Sequence, residues 1–372
     1  MAKRTAVLGA TGSIGKSALD VIAQGKNDFD VTLLSAHSNA GGLAEAGRAW
    51  PGAVKILSGK EGGRERLLAA VAGCGAEITL NGISGAAGLE PSIAAIKAGS
   101  DLALANKETL VMAGPLVFRL ANEKKVKIIP VDSEHSAIFH LLEAHGYEAL
   151  DEIILTASGG PFRNSSISEM ENASPQAALA HPTWNMGAKI SVDSASMANK
   201  GLEVIEAARL FGLPPEKIKV LIHPQSVVHS MIKMKDGAVY AQLSRPDMRL
   251  PIHKALYWPD AKPSGFGRLD FASLSLEFFP PEADKFPLLT LAYEAVRKGG
   301  LYPCAYNGAN EAAVGEFLAG RIGFLDIGRI TQYVLDKDWS NEPAEIAEIL
   351  DADRRAKAAA LAIAGQPKKR LS

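Results

Sequence analysis

The first 130 residues alternate between short apolar runs and longer segments in which apolar residues recur at helical spacing. The runs of strand length lie at residues 5–8, 29–34, 77–80, 101–105 and 126–130. Helical segments are predicted at residues 18–22 and 89–98. Strands that alternate with helices predict a doubly wound parallel sheet, in which ligands bind beyond the carboxyl ends of the strands.

A glycine-rich turn follows the first strand directly. The stretch Gly9-Ala10-Thr11-Gly12-Ser13-Ile14-Gly15 leads into the first predicted helix. Glycines allow a pyrophosphate to approach the backbone, and a helix N-terminus offers N–H groups and a positive dipole end. The spacing is a variant of the dinucleotide fingerprint. We therefore expect a dinucleotide here; the alternative is a glycine turn without a ligand.

The second strand ends in the polar residues His37, Ser38 and Asn39. A site that prefers NAD usually carries an Asp or Glu at this position, which accepts a hydrogen bond from the ribose 2′-hydroxyl. Because no acid is present, the sequence favours NADP. An ordinary polar loop is the alternative interpretation.

Charged residues follow the last two strands of the predicted sheet. Lys107, within Asn106-Lys107-Glu108, would reach a ribose or the nicotinamide region, or else be a solvated charge at a helix start. Asp132 and Glu134 flank Ser133 after the run 126–130. In an extended backbone their side chains point to the same side, and a divalent cation would relieve their repulsion. Two solvated acids at an exposed strand end are the alternative.

The middle third of the chain contains a strand, a tight turn and an unusual loop. The strand at residues 152–157 leads into Ser158-Gly159-Gly160-Pro161-Phe162, where backbone N–H groups could bind an anion. The loop His181-Pro182-Thr183-Trp184-Asn185-Met186-Gly187 combines an imidazole, an indole and a thioether. We interpret it as a lid over a ligand, or alternatively as a loop that its tryptophan anchors to the domain surface.

A helix is predicted from Ser196 onward, with Asn199, Lys200 and Glu203 on one face. Together with Ser194, this face offers hydroxyl, amide and ammonium donors, a set that suits a phosphate. Glu203 would be a third carboxylate for the cation. The alternative, a Lys–Glu pair on a wet helix, would contribute only about 0.2–0.5 kcal/mol.

Length and composition indicate a multidomain protein of ordinary globular character. The 372 residues are 47% hydrophobic and 22% charged, with a net charge of −1, so no broad field favours nucleic acid or an anionic membrane. The short basic end Lys368-Lys369-Arg370 is interpreted as a solvated tail. Only two cysteines occur, and no apolar run is long enough to span a bilayer, so we expect a cytoplasmic protein.

Proline-rich segments and later helical periodicity divide the chain further. Helices are predicted at residues 288–297, 310–318, 327–335 and 344–364. We therefore expect an N-terminal Rossmann-like doubly wound sheet, a central α/β catalytic domain and a small C-terminal α-helical domain. The predicted boundaries are 1–131, 132–257 with a flap at 180–189, a linker at 258–284, and 285–372.

The motifs together resemble the 1-deoxy-D-xylulose 5-phosphate reductoisomerase family. The resemblance runs in order along nearly the whole chain, through residues 9–15, 106–108, 131–135, 158–162, 181–187, 197–203, 223–231 and 307–312. It implies rearrangement and NADPH-dependent reduction of 1-deoxy-D-xylulose 5-phosphate to 2-C-methyl-D-erythritol 4-phosphate, the second step of the non-mevalonate isoprenoid pathway. It also implies a homodimer. His37-Ser38-Asn39 departs from the family, which often has a basic residue there, so the mode of 2′-phosphate recognition is open.

The resemblance also implies residue roles. Asp132, Glu134 and Glu203 would hold Mg²⁺ or Mn²⁺, since hard ions prefer carboxylate oxygens. Glu134, Lys200 and His181 would be catalytic, although a metal-bound Glu134 is a weaker base than a free carboxylate. The cofactor would contact Thr11, Gly12, Ser13, Ile14, His37, Ser38, Asn39, Asn106, Lys107, Glu108 and Gly187. The substrate would contact Ser133, Glu134, Ser158, His181, Trp184, Met186, Ser194, Asn199, Lys200 and Glu203.

Two other functional classes are kept as hypotheses. A simple NADP oxidoreductase would need the glycine turn but not three carboxylates, and its rate would be independent of metal. A non-enzymatic NADPH-binding regulator would need neither a metal nor a phosphate site. Within the favoured class, a retro-aldol/aldol sequence and a direct α-ketol shift both stay open.

Overall fold

The computed structural model describes residues 1–184, 186–272 and 274–366. Asn185 of the predicted flap and the basic tail at residues 368–370 lie outside the described residues. The strands are β1 Lys3–Leu8, β2 Phe29–Ala36, β3 Val54–Leu57, β4 Ile78–Asn81, β5 Asp101–Leu104, β6 Ile128–Pro130, β7 Leu150–Ala157, β8 Ile218–Ile222, β9 Val228–Met234 and β10 Val239–Leu243.

The helices outnumber the strands in the described part of the chain. They are α1 Ser13–Gln24, α2 Ala40–Ala46, α3 Gly63–Gly73, α4 Leu89–Lys97, α5 Lys107–Lys124, α6 Ser133–His145, α7 Ile167–Glu171, α8 Pro175–Leu179, α9 Ala188–Ala195, α10 Ala198–Phe211, α11 Arg249–Tyr257, α12 Pro287–Lys298, α13 Tyr302–Leu318, α14 Asp326–Leu335 and α15 Ile346–Ala364. Among the described residues, no helix has the length and apolar character needed to cross a membrane.

The described residues form two compact units. Unit 1 comprises residues 1–109, 117–140 and 247–269, and unit 2 comprises residues 110–116, 141–246 and the chain from 270 onward. The domain boundaries predicted from the sequence stay predictions.

Unit 1 contains a six-stranded sheet in the order β3-β2-β1-β4-β5-β6, and every strand pair in it is parallel. The chain order reverses between β1 and β4, which makes their carboxyl ends the place where such sheets bind ligands. Buried residues of β1, β2 and β4 pack with α1, and α11 adds Ile252 and Leu256 to the same core. The predicted doubly wound parallel sheet is confirmed.

Unit 2 contains a four-stranded mixed sheet in the order β10-β9-β7-β8. Strand β7 pairs in parallel with β8 and antiparallel with β9. The four late helices predicted from periodicity are present as α12 to α15. Helix α13 begins at Tyr302 rather than at residue 310, so Gly308 lies inside the helix and not before it. A Cβ at Gly308 would lie 3.0 Å from Asp353 Oδ1 of α15. The glycine marks close helix packing, not a helix end.

Two local predictions are wrong. Helix α6 begins at Ser133, and the Asp132 carbonyl accepts from Ser136 N at 2.8 Å, so Asp132 and Glu134 do not lie in an extended strand. Asp before a helix and Glu in its first turn are favourable for helix initiation, and strand alternation does not apply there. The helix predicted from Ser196 is preceded by α9, and Met197, with φ of 62°, separates α9 from α10.

The glycine turn depends on close packing that a methyl group would disrupt. A Cβ at Gly15 would lie 2.3 Å from Gly9 O, so we expect Gly15→Ala to destabilise the protein by about 1–3 kcal/mol. Gly41→Ala is the matched control, because a Cβ at this helical position would meet no other part of the protein within 4 Å and Ala stabilises a helix. Thermal denaturation of both variants tests the prediction, and equal melting temperatures would contradict it.

Candidate active site

The glycine turn of unit 1 presents a helix N-terminus at the carboxyl end of β1. Gly9 has φ of 79°, and a Cβ there would lie 2.8 Å from Gly82 O, so the turn requires glycine. Gly12 is the N-cap of α1 and provides no side-chain cap. The first N–H groups of α1 are therefore available to an anion beside Thr11, Ser13 and Ile14, as a dinucleotide site needs.

The polar residues after β2 are exposed. His37, Ser38 and Asn39 lie at the carboxyl end of this strand, beside β1 in the sheet. The Asn39 side chain accepts from Gly42 N at 2.8 Å and caps α2. His37 Nδ1 lies 3.4 Å from Ser58 Oγ. The strand end thus offers an imidazole and a hydroxyl, with Asn39 engaged in a helix cap.

Asn106 and Glu108 are buried and bind the loop that follows β4. Asn106 Nδ2 donates to Ile83 O at 2.8 Å and to Gly85 O at 2.9 Å, while its Oδ1 accepts from Thr109 N and caps α5. Glu108 Oε1 accepts from Gly85 N at 3.2 Å. These two side chains fix the loop 83–85 at the sheet edge, a role that the sequence analysis did not assign to them.

The buried Lys107 and the partly exposed Asp132 form an ion pair across neighbouring strand ends. Lys107 Nζ lies 2.6 Å from Asp132 Oδ2. Asp132 follows β6 and directly precedes α6, and Ser133 Oγ donates to Glu134 Oε2 at 2.6 Å. The strand order therefore brings the predicted lysine and the first predicted carboxylate together within unit 1.

In unit 2, strand β7 ends in a turn that two glycines allow. Gly159 and Gly160 have φ of 83° and 65°, and a Cβ at Gly160 would lie 2.8 Å from Ser194 O. Ser158 Oγ accepts from Gly160 N at 3.2 Å and lies 3.0 Å from His181 Nε2. Ser158, His181 and the α9 residue Ser194 are thus arranged around one turn.

The imidazole of His181 has a defined tautomer. Its Nδ1 accepts from the backbone N–H groups of Thr183 at 3.1 Å and Trp184 at 2.9 Å. Nδ1 is therefore unprotonated, and the neutral ring carries its proton on Nε2, from which it donates to Ser158. Burial lowers the pKa of His181, which favours this neutral form.

The remaining residues of the predicted flap form an irregular segment before α9. Trp184 and Met186 are half-buried, and Gly187 is exposed and provides the N-cap of α9. The His181 ring holds the start of this segment by accepting hydrogen bonds from the backbone amides of Thr183 and Trp184. The interpretation of residues 180–189 as a flap stays a prediction.

The first turn of α10 carries the predicted phosphate donors. Asn199 and Lys200 are its second and third residues, and its N-cap Met197 provides no side-chain cap. Asn199 Nδ2 donates to Glu203 Oε1 at 2.5 Å, and Lys200 Nζ donates to Glu203 Oε2. The predicted common face of Asn199, Lys200 and Glu203 is confirmed.

One partner of Lys200 was not predicted. Its Nζ donates to the backbone carbonyl of Thr156 at 2.5 Å, near the end of β7. The Thr156 hydroxyl shares its one proton between the carbonyls of Val228 and His229 in β9. Every residue has a backbone carbonyl, so the sequence motifs did not indicate that Lys200 would contact that of Thr156.

Family models cover most of the chain. Models of the 1-deoxy-D-xylulose 5-phosphate reductoisomerase family match residues 5–61, 52–114, 128–211 and 243–359. The enzyme of that name from Treponema denticola is 48% identical over 368 residues, covering 97% of both chains. The chain belongs to the 1-deoxy-D-xylulose 5-phosphate reductoisomerase family.

Other reductoisomerases extend the similarity to solved structures. The enzyme from Chlorobium chlorochromatii is 47% identical and covers 94% of this chain and 97% of its own. The reductoisomerase of Zymomonas mobilis in complex with NADPH is 40% identical, with a TM-score of 0.92 over 99% of this chain and 100% of the other. A reductoisomerase in complex with NADPH, fosmidomycin and magnesium is 38% identical, with a TM-score of 0.88 over 97% and 98%.

Membership in the reductoisomerase family confirms the resemblance, the α/β fold class and the enzyme class predicted from the sequence. It also removes the two rival hypotheses, a simple oxidoreductase and a non-enzymatic regulator. The individual residue assignments stay predictions, and their roles in this reductoisomerase are argued as proposals.

The tautomer of His181 generates a pH-dependent prediction. We expect NMR titration of this imidazole to give a pKa below its ordinary value of 6.5, because burial disfavours the cation. A lowered pKa means that its contribution to stability is present above pH 6.5 and is lost as the pH falls through the lower value. The resonance is assigned with His181→Asn, and a midpoint above 6.5 would contradict the preference of this site for the neutral imidazole.

Proposed function

We propose that this reductoisomerase converts 1-deoxy-D-xylulose 5-phosphate to 2-C-methyl-D-erythritol 4-phosphate with NADPH and Mg²⁺ or Mn²⁺. The observation that carries the proposal is the match along 97% of the chain to a fosmidomycin, magnesium and NADPH complex, together with the motifs arranged in each unit. A retro-aldol/aldol sequence and an α-ketol shift both fit these groups.

NADPH binding is proposed at the carboxyl edge of the unit 1 sheet. The uncapped N-terminus of α1 would bind the pyrophosphate, and the exposed His37 and Ser38 would lie near the 2′-phosphate. No acid at this strand end repels a 2′-phosphate. Further contacts are proposed for Thr11, Ser13, Ile14, Asn39, Asn106, Lys107, Glu108 and Gly187.

The proposed metal ligands are Asp132, Glu134 and Glu203. All three are carboxylates, and Mg²⁺ and Mn²⁺ prefer such oxygen ligands. Zinc and copper instead favour nitrogen and sulfur ligands, so the set fits Mg²⁺ or Mn²⁺. Glu203 is buried, and Asn199 and Lys200 orient its carboxylate, as groups around a metal ligand commonly do. When bound, the ion would act as a Lewis acid toward substrate oxygens.

Substrate placement is proposed to depend on the phosphate clamp, which we define as Ser158, Ser194, Asn199 and Lys200. Hydroxyl, amide and ammonium donors at the uncapped N-terminus of α10 favour a dianion. A phosphate held in this way places the reacting carbons without reacting itself. Ser133 would contact the sugar oxygens.

Proton movement and water exclusion are proposed for the remaining groups. Lys200 would donate toward a substrate oxygen, and Glu134 is the candidate for proton transfer at the sugar. His181, Trp184 and Met186 would cover the substrate, with the neutral ring of His181 donating through Nε2 to Ser158. The linker 258–284 and the domains 1–131, 132–257 and 285–372 are retained as the proposed organisation.

A homodimer located in the cytoplasm completes the proposal. Strand β10 is the edge of the unit 2 sheet, and its Val239 is 51% exposed. Exposed apolar residues on an unpaired edge strand favour association with another strand. A second copy of this chain is the proposed partner of that edge.

Metal dependence provides the first test. We expect NADPH oxidation with 1-deoxy-D-xylulose 5-phosphate to stop in excess EDTA and to resume with Mg²⁺ or Mn²⁺. Glu203→Gln removes one proposed ligand and should lower kcat/KM by about 100-fold or more. Glu216→Gln, an exposed carboxylate paired with Arg297, is the control and should change little. Turnover that continues in EDTA would refute the metal site.

The edge strand provides a separate test of the dimer. Val239→Lys should shift the protein toward monomer in analytical ultracentrifugation, since a lysine on an edge strand opposes pairing. Ile167→Lys is the control, because Ile167 is 49% exposed but lies in α7. An unchanged sedimentation coefficient for Val239→Lys would exclude β10 as the dimer interface.

A further inference from the structure

The motif at residues 307–312 has no role in the function argued so far. It lies inside α13, where Asn307 and Asn310 are one helical turn apart and both completely buried. Buried amides usually form hydrogen bonds, and Asn310 has one. Its Nδ2 donates to Asp193 Oδ1 of α9 at 2.8 Å.

Asp193 is held at both of its carboxylate oxygens. It is 1% exposed, and its Oδ2 lies 2.8 Å from Lys189 Nζ, one turn earlier in α9. Lys189 belongs to the same helix, so its ion pair with Asp193 does not fix the orientation of α9 relative to other helices. Asn310 belongs to another helix, and its bond to Asp193 fixes α9 relative to α13.

Asp193 is directly followed in the chain by Ser194. The backbone carbonyl of Ser194 faces Gly160, where a Cβ would lie 2.8 Å from that oxygen, so α9 has little room to shift on this side. Asn310 and Gly160 therefore constrain the end of α9 from two different segments. Both constraints act on the part of α9 that carries Ser194.

We propose that Asn310 is a positioning residue for the substrate phosphate, acting through Asp193 on Ser194. The proposal rests on the phosphate clamp argued above. The hydrogen bond of Asn310 goes to Asp193 and not to a clamp residue, so Asn310 acts by setting the rotation of the helix that carries Ser194. Loss of its hydrogen bond turns Ser194 away from the phosphate while the cofactor contacts of unit 1 stay unchanged.

Asn307 offers a matched control on the same helix. It is as buried as Asn310, but neither its amide nitrogen nor its amide oxygen has a hydrogen-bond partner among the described residues. Asn310→Leu and Asn307→Leu thus make the same chemical change at two equally buried sites. Only the first removes a hydrogen bond to α9.

Steady-state kinetics of the full-length protein with Mg²⁺ test the proposal. We expect Asn310→Leu to raise KM for 1-deoxy-D-xylulose 5-phosphate about tenfold, with KM for NADPH unchanged within about twofold. Asn307→Leu should leave both KM values within about twofold. Asp193→Asn should raise the same KM, and adding it to Asn310→Leu should give less than the product of the two effects.

The variant Ser194→Ala distinguishes a failure of the proposed role of Asn310 from a failure of the phosphate clamp. A raised substrate KM in Ser194→Ala with an unchanged KM in Asn310→Leu overturns the role of Asn310 and leaves the clamp intact. An unchanged KM in Ser194→Ala overturns the clamp and the inference together. An equal rise in Asn307→Leu and Asn310→Leu identifies a general packing effect and also overturns the inference. If Asn310→Leu does not fold, Asn310→Ser removes the same amide, and the same KM criteria apply.

Discussion

The buried ammonium of Lys200 imposes the main constraint on unit 2. A charged group that is only 3% exposed must be paired and hydrogen-bonded, since an unpaired buried charge costs several kcal/mol. Glu203 supplies the opposite charge, and the Thr156 carbonyl supplies a further acceptor. These contacts connect the first turn of α10 to the end of β7, the two segments that carry most of the proposed phosphate clamp. Charge burial and substrate placement therefore depend on the same geometry.

Much of the fold was predictable because it depends on periodicity. Short apolar runs gave the strands β1, β2, β4, β5, β6 and β7, and helical spacing gave the four C-terminal helices. The start of α6 was mispredicted because Asp132 follows a strand, and the capping preference of aspartate outweighed continued extension. The start of α13 was predicted too late because Gly308 resembled a helix boundary in the sequence. The sequence alone does not distinguish a glycine that allows close helix packing from one that ends a helix.

The side chains of the candidate site were predictable from the sequence, whereas many of their hydrogen-bond partners were not. Asn199, Lys200 and Glu203 share a helix face, which spacing alone predicts. The contacts of Asn106 with the loop carbonyls, of Lys200 with Thr156 and of His181 with the amides of Thr183 and Trp184 all involve backbone atoms. Backbone atoms are identical at every position, so only the folded chain determines which of them a side chain meets.

The arrangement around Ser158 fixes the polarity of its hydroxyl group. Serine oxygen has two acceptor positions and one proton. Gly160 N–H occupies one acceptor position, and His181 Nε2–H, by virtue of its tautomer, occupies the other. The remaining capacity of the hydroxyl is donation, which suits an accepting oxygen such as a phosphate oxygen. A single ring proton on His181 thereby leaves the Ser158 hydroxyl as a hydrogen-bond donor toward its surroundings.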